Sequence, residues 1–312
     1  MTKLILSTAN IISGGPSFLR KPGTFRSNLE LTNSLRSNFL AAQQDYSDAL
    51  TQSDGNANGN ANGQTNGANG TSNGANGKHA NGPGSRRPAA DIWTERDGSA
   101  LYVPRISWPV AGLQEDRSSY DITVKLFFLP DAPVHERERY VMEALALVQK
   151  ELSIATIDLL IASFPGMSFE GDCEWDADKK NASQGNLEEE VATWAILEEL
   201  YHQGVSVRPI VDQINVRDCC NVPPPLAKLA ADENIELYVH ADCTDILPSG
   251  TIRDLLGHGA QGAGVLSDAD EGVAGLHGDI IPQWVVKYTA FVKYRGVIEN
   301  KGYFAGAEII DG

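Results

Sequence analysis

The residues of this chain best suited to chemistry are two adjacent cysteines, one lysine inside an apolar run, and a short His–Asp–Cys cluster. Cys219 and Cys220 follow the run IVDQINV (residues 210–216) and precede three prolines at 223–225. Neighbouring cysteines bond to one another only with severe strain. Two readings stay open for them: small packed thiols at a loop, or a contact, redox-active or not, with a partner subunit. Asp218 beside them opposes thiolate formation. Lys125 interrupts ITVKLFFL (residues 122–129). Either its amine reaches solvent from a strand end, or it points inward and needs a partner. His240, Asp242 and Cys243 form one short run with too few well-spaced ligands for a metal, and no cysteine pairing of the C-x2-C type occurs. No metal is therefore expected. The glycine-rich GAQGAG (residues 259–264) follows no strand and opens no helix, so it has little value as a phosphate fingerprint.

The elements that must position these residues are legible mainly as apolar runs. Residues 208–247 read as a strand, a helix opened by prolines and a second strand, hence a right-handed parallel crossover. Residues 3–7, 101–110, 122–129 and 157–163 read as further strands. The run at 122–129 is nearly continuous, as expected where both faces are covered. Helices are expected over 28–50, 133–152, 187–203 and 283–292, and a last strand or its loop over 296–304. In the helix at 187–203, Val191, Trp194, Leu197, Leu200 and Tyr201 are expected to face inward. Residues 53–85 repeat Asn-Gly and Ala-Asn-Gly and hold no large apolar side chain, so they read as a disordered insertion. Residues 257–278, rich in glycine and aspartate, read as a mobile loop.

Composition excludes some classes. The net charge is −16, from 41 acidic against 25 basic residues, and such a surface repels nucleic acid and anionic membranes. No run of apolar residues is long enough for a transmembrane helix, and the N-terminal run is too short and polar for a signal peptide. A few thiols in a chain of 312 residues suggest a reducing, cytoplasmic setting.

QINVRDCCNVPPPL (residues 213–226) resembles the regulatory (modifier, or light) subunits of glutamate–cysteine ligase. So do WVVKYTAFVKYRGVIENKGYF (residues 284–304), ITVKLFFL (residues 122–129) and IATIDLLIASFPG (residues 154–166). Those subunits are themselves similar to aldo-keto reductases. The resemblance implies a single TIM-barrel-like (β/α)8 domain of aldo-keto reductase type over residues 1–312, with its functional loops on one face. One helix of that barrel is missing, because residues 205–207 run straight into Arg208 and Pro209.

Carried over residue by residue, the resemblance places Lys125 at the reductase lysine and Ser163 at the histidine, a role serine cannot fill. It places Gln213 at the carboxamide that touches nicotinamide. Asp97 and Tyr102 have the reductase aspartate–tyrosine spacing but lack the flanking pattern and lie too close to Lys125. No adenosine-phosphate segment of the reductase type is visible, and Arg295, Asn300 and Lys301 are the only nearby candidates for that role, so NADPH binding is left without support beyond Gln213. The implied function is a non-catalytic regulatory subunit that forms a heterodimer with the catalytic subunit of glutamate–cysteine ligase. The rival readings are an NADPH-dependent reductase of small carbonyl compounds, and an inactive folded remnant.

Overall fold

A computed structural model describes residues 2–13, 27–55, 88–108, 112–165, 186–204, 211–215, 224–232, 236–240, 242, 245–267 and 275–310. In chain order the elements are β1 (Thr2–Ser7), α1 (Ser27–Gly55), α2 (Ala90–Trp93), β2 (Glu95–Asp97), β3 (Ala100–Val103), β4 (Tyr120–Phe128) and α3 (Arg137–Leu152). Then follow β5 (Leu159–Ser163), α4 (Leu187–His202), β6 (Val211–Asn215), α5 (Pro224–Asp232), β7 (Glu236–His240), α6 (Thr251–Leu256), β8 (Asp279–Val292) and β9 (Val297–Ile310).

Seven strands form one mixed sheet in the order β2-β3-β1-β9-β8-β4-β5. Only β1/β3 and β4/β5 run parallel; the other neighbours are antiparallel. This corrects the expectation of a (β/α)8 barrel, which requires parallel neighbours and a closed ring. The centre of the sheet is instead a long hairpin, β8–β9, with Asp279 opposite Ile310 and Val292 opposite Val297. The segment expected as a helix at 283–292 is therefore strand. The cause is its composition: Trp284, Val285, Val286, Tyr288, Thr289, Phe291 and Val292 are β-branched or aromatic and pack well on a pleated surface. Both faces of β8 are covered over Trp284–Val286, so the period-two pattern that would have betrayed it is masked in the sequence.

The predicted strand–helix–strand unit is present, with β6 and β7 parallel, but as a separate two-stranded sheet. Of the expected disordered insertion, residues 56–85 lie outside the described residues, as do residues 268–274 of the expected mobile loop. At the front of that loop Ala263, Val265 and Leu266 are buried, a contribution the glycine-rich sequence did not advertise.

Helices cover both faces of the main sheet. On one face, Leu31, Leu35 and Phe39 of α1 and Ile252, Leu255 and Leu256 of α6 pack on Leu4, Leu6, Phe127, Val285, Tyr303 and Ala305. On the other, Val141, Ala144, Leu145 and Val148 of α3 and Leu197 and Leu200 of α4 pack on Val124, Leu126, Phe128, Trp284, Val286 and Phe304. Alternate residues of each strand thus feed two separate cores. Helix α4 is seated by Arg137, whose buried guanidinium donates to Thr193 Oγ1 at 2.6 Å and pairs with Glu189 at 3.0 Å. That seating turns Thr193, Leu197 and Leu200 inward. Val191, Trp194 and Tyr201, expected inward, are exposed. The helix ends as expected at Gly204, whose φ of +76° suits glycine.

Candidate functional site

Lys125 lies in the middle of β4 and points to the face covered by α1 and α6. Strand pairing sets Lys125 opposite Lys287 of β8, and Lys287 opposite Tyr303 of β9, so the three side chains form a row across the sheet. Residue 242, just beyond β7, closes over this row. Asp242 Oδ2 accepts from Lys125 Nζ at 2.7 Å, and its Oδ1 lies 3.5 Å from Lys287 Nζ. Lys125 Nζ also sits 5.2 Å from the centre of the Phe127 ring. At the other end of the row Tyr303 Oη donates to Glu30 of α1 at 2.6 Å, and Lys301 Nζ meets the same carboxylate at 2.7 Å.

The result is a charged strip of three ammonium groups, two carboxylates and one phenol inside an apolar layer. The Lys125 side chain is 6 % exposed, against 23 % for Lys287 and 18 % for Asp242. Burial pushes the Lys125 amine below the ordinary lysine range; Asp242 opposes that shift, and the like charge of Lys287 adds to it. A lysine held this way is chemically distinctive. It is also what an ion pair seated in a core looks like, and its hydrogen bond to Asp242 gives the buried charge the partner it requires.

The residues singled out in the sequence are distributed unevenly. Ser163 is half-buried at the end of β5, opposite Phe127, and so shares the Lys125 face two positions further along. Gln213 lies on β6, opposite Tyr238, in the other sheet. Cys219 and Cys220 lie outside the described residues. Asp97 and Tyr102 sit on the short edge hairpin β2–β3. The aspartate that pairs with Lys125 is Asp242, which sequence reasoning had weighed only as a metal ligand. Its one signal was its place immediately after an apolar strand, the usual position of functional side chains in α/β folds. Among the described residues no group of three or more metal-ligating side chains is found.

The described residues do not fit a nicotinamide cofactor of the reductase kind. Gln213 belongs to a different sheet from Lys125, and the Lys125 amine is engaged by Asp242 beneath a covered face. What the strip does in the described structure is tie the segment after β7, the helix α1 and the strands β4, β8 and β9 together through charge-assisted hydrogen bonds.

The chain is 31 % identical over 113 residues to the mouse glutamate–cysteine ligase regulatory subunit, and 30 % identical over 113 residues to the human one. Each match spans 36 % of this chain and 36 % of the relative. A putative glutamate–cysteine ligase regulatory subunit of Schizosaccharomyces pombe is 24 % identical over 222 residues, 62 % of this chain and 71 % of the relative. No protein-family model and no solved structure matches the chain. The matches span only about a third of the mammalian proteins and do not extend to the aldo-keto reductases. The resemblance read from residues 122–129, 154–166, 213–226 and 284–304 is therefore borne out in its nearer part: the chain is similar to glutamate–cysteine ligase regulatory subunits.

Proposed function

We propose that this chain is a regulatory partner of a glutamate–cysteine ligase catalytic subunit, docking onto it as a heterodimer in the cytoplasm. The observation that carries the reading is the similarity to curated proteins named as regulatory subunits of that ligase. The geometry around Lys125 supports a non-catalytic role. Its amine is held in an ion pair with Asp242 beneath a covered face. Docking changes a partner's kinetics only if the chain binds one of its conformations more tightly than another. The resemblance implies that the favoured conformation uses glutamate better and responds less to glutathione.

The test is co-purification with the catalytic subunit, followed by the KM for glutamate with and without this chain. Stable co-purification and a lowered KM are expected. A catalytic subunit whose glutamate kinetics are unmoved by saturating amounts of the chain sinks the reading.

A further inference from the structure

Helix α4 has two apolar faces, and among the described residues only one of them is buried. Thr193, Leu197 and Leu200 are buried against the sheet side. A quarter-turn away, Leu187, Val191, Trp194 and Tyr201 are exposed at 73, 60, 40 and 37 % of their surface. Their spacing of three, four and seven residues places them in one stripe along the helix, and Glu198 falls in the gap between Trp194 and Tyr201. The stripe is held outward by rigid means: the Arg137 bonds to Thr193 and Glu189 fix the rotation of the helix on α3. A row of apolar side chains ending in a tryptophan and a tyrosine has the composition of an interface anchor.

Charge selects the occupant. The helix LEEEVATWAILEELYH contains no lysine or arginine, and Glu188, Glu198 and Glu199 are exposed beside or within the stripe. Two copies of this helix laid together in either direction would set carboxylates against carboxylates with no cation to answer them. A partner helix with its own apolar stripe and with lysine or arginine opposite Glu198 answers both features. We propose that the exposed stripe of α4 is a docking surface for a basic amphipathic helix, and, resting on the regulatory reading above, that the helix is carried by the catalytic subunit of glutamate–cysteine ligase.

The experiment measures the affinity of the catalytic subunit for the full chain and for the variants Trp194→Ala, Val191→Asp and Glu198→Lys. All three sites are solvent-facing, and circular dichroism is the check that each variant folds. Each variant is expected to weaken binding by about tenfold or more, as central anchors do, with Glu198→Lys acting most strongly at low salt. Wild-type binding with all three variants unchanged overturns the docking surface while leaving the regulatory reading intact. No binding of the wild-type chain overturns the regulatory reading and this assignment with it. A wild-type chain that sediments as a dimer, and a Trp194→Ala variant that sediments as a monomer, overturns the basic-helix partner in favour of a second copy.

Discussion

The two faces of the main sheet are built from the same strands and solve different problems. The face under α3 and α4 is apolar through its middle, where Val124, Leu126, Phe128, Trp284, Val286 and Phe304 pack, and its charged pairs, such as Lys3–Glu143 and Arg137–Glu189, tie the helices down around that centre. The face under α1 and α6 is apolar at its edges but carries the Asp242–Lys125–Lys287–Tyr303–Glu30–Lys301 strip through its middle. An apolar face gains stability from area and tolerates no void. A face crossed by charges gains little net energy from them, but losing one partner strands another charge out of water. The difference shows where this fold spends its specificity: both faces carry an extensive apolar core, but only the strip ties a loop and a helix to the middle of the sheet by charge.

The sharpest way to break the comparison is to open a void on the apolar face. Trp284 is fully buried and faces Gly306 across the hairpin. Trp284→Ala is expected to cost about 4 kcal/mol, read as the shift of the urea midpoint with the slope unchanged. On the charged face, Asp242→Ala removes the carboxylate that Lys125 and Lys287 share. A loss of about 2–3 kcal/mol is expected at neutral pH, somewhat below that of a fully buried pair because Asp242 is partly exposed. Lys125→Met should cost much less, because Asp242 keeps Lys287 while the methionine fills the vacated space. If the two substitutions cost the same, the strip is not the asymmetric device described above.

Two smaller effects sharpen the picture of the apolar face. A Cβ at Gly306 would run into the Trp284 indole, so Gly306→Ala is expected to destabilise by about 1–3 kcal/mol through overpacking. Gly306→Ala combined with a smaller residue at 284 should recover part of that loss. Glu151, a buried carboxyl on this side, meets the phenol of Tyr288, and burial holds it above the ordinary 4.5. The folded chain therefore keeps this proton where the unfolded chain has lost it. Stability should fall as pH rises from about 4.5 through the folded value, and Glu151→Gln should flatten that fall. Denaturation midpoints over a pH series are the measurement, and an unchanged slope in the variant would show that another group is responsible.

Much of the secondary structure could be read from the chain. β1, β4, β5, α3, α4 and the β6–α5–β7 unit lie close to where apolar periodicity places them. β8 could not, because a strand covered on both faces over Trp284–Val286 loses the alternation that distinguishes it from a short helix. With β8 read as a helix, alternating strands and helices point to a parallel sheet with helices outside, and only the resemblance to reductases closes that sheet into a barrel. The inward face of α4 was misassigned for a related reason: its apolar residues form two stripes, and sequence periodicity does not say which one meets the core. That choice is made by Arg137, fifty residues and more away in the chain, through Thr193 and Glu189. The partner of Lys125 was equally out of reach, since Asp242 is brought to it only by tertiary structure. Lys125 itself was legible because a charge in an apolar strand always needs an explanation.

β1 lies between β3 and β9, with Thr2 paired to Ile309 and Ser7 to Phe304. A nascent chain that has reached β3 can zip β1 to β3, but the other margin of β1 must wait for β9 to emerge. Until then Leu4 and Leu6 have one neighbour instead of two, and the sheet cannot knit from the inside outward. Closing the sheet thus needs a pairing between segments far apart in the chain, and this slow, non-local step leaves the half-built sheet open to sticking to its neighbours.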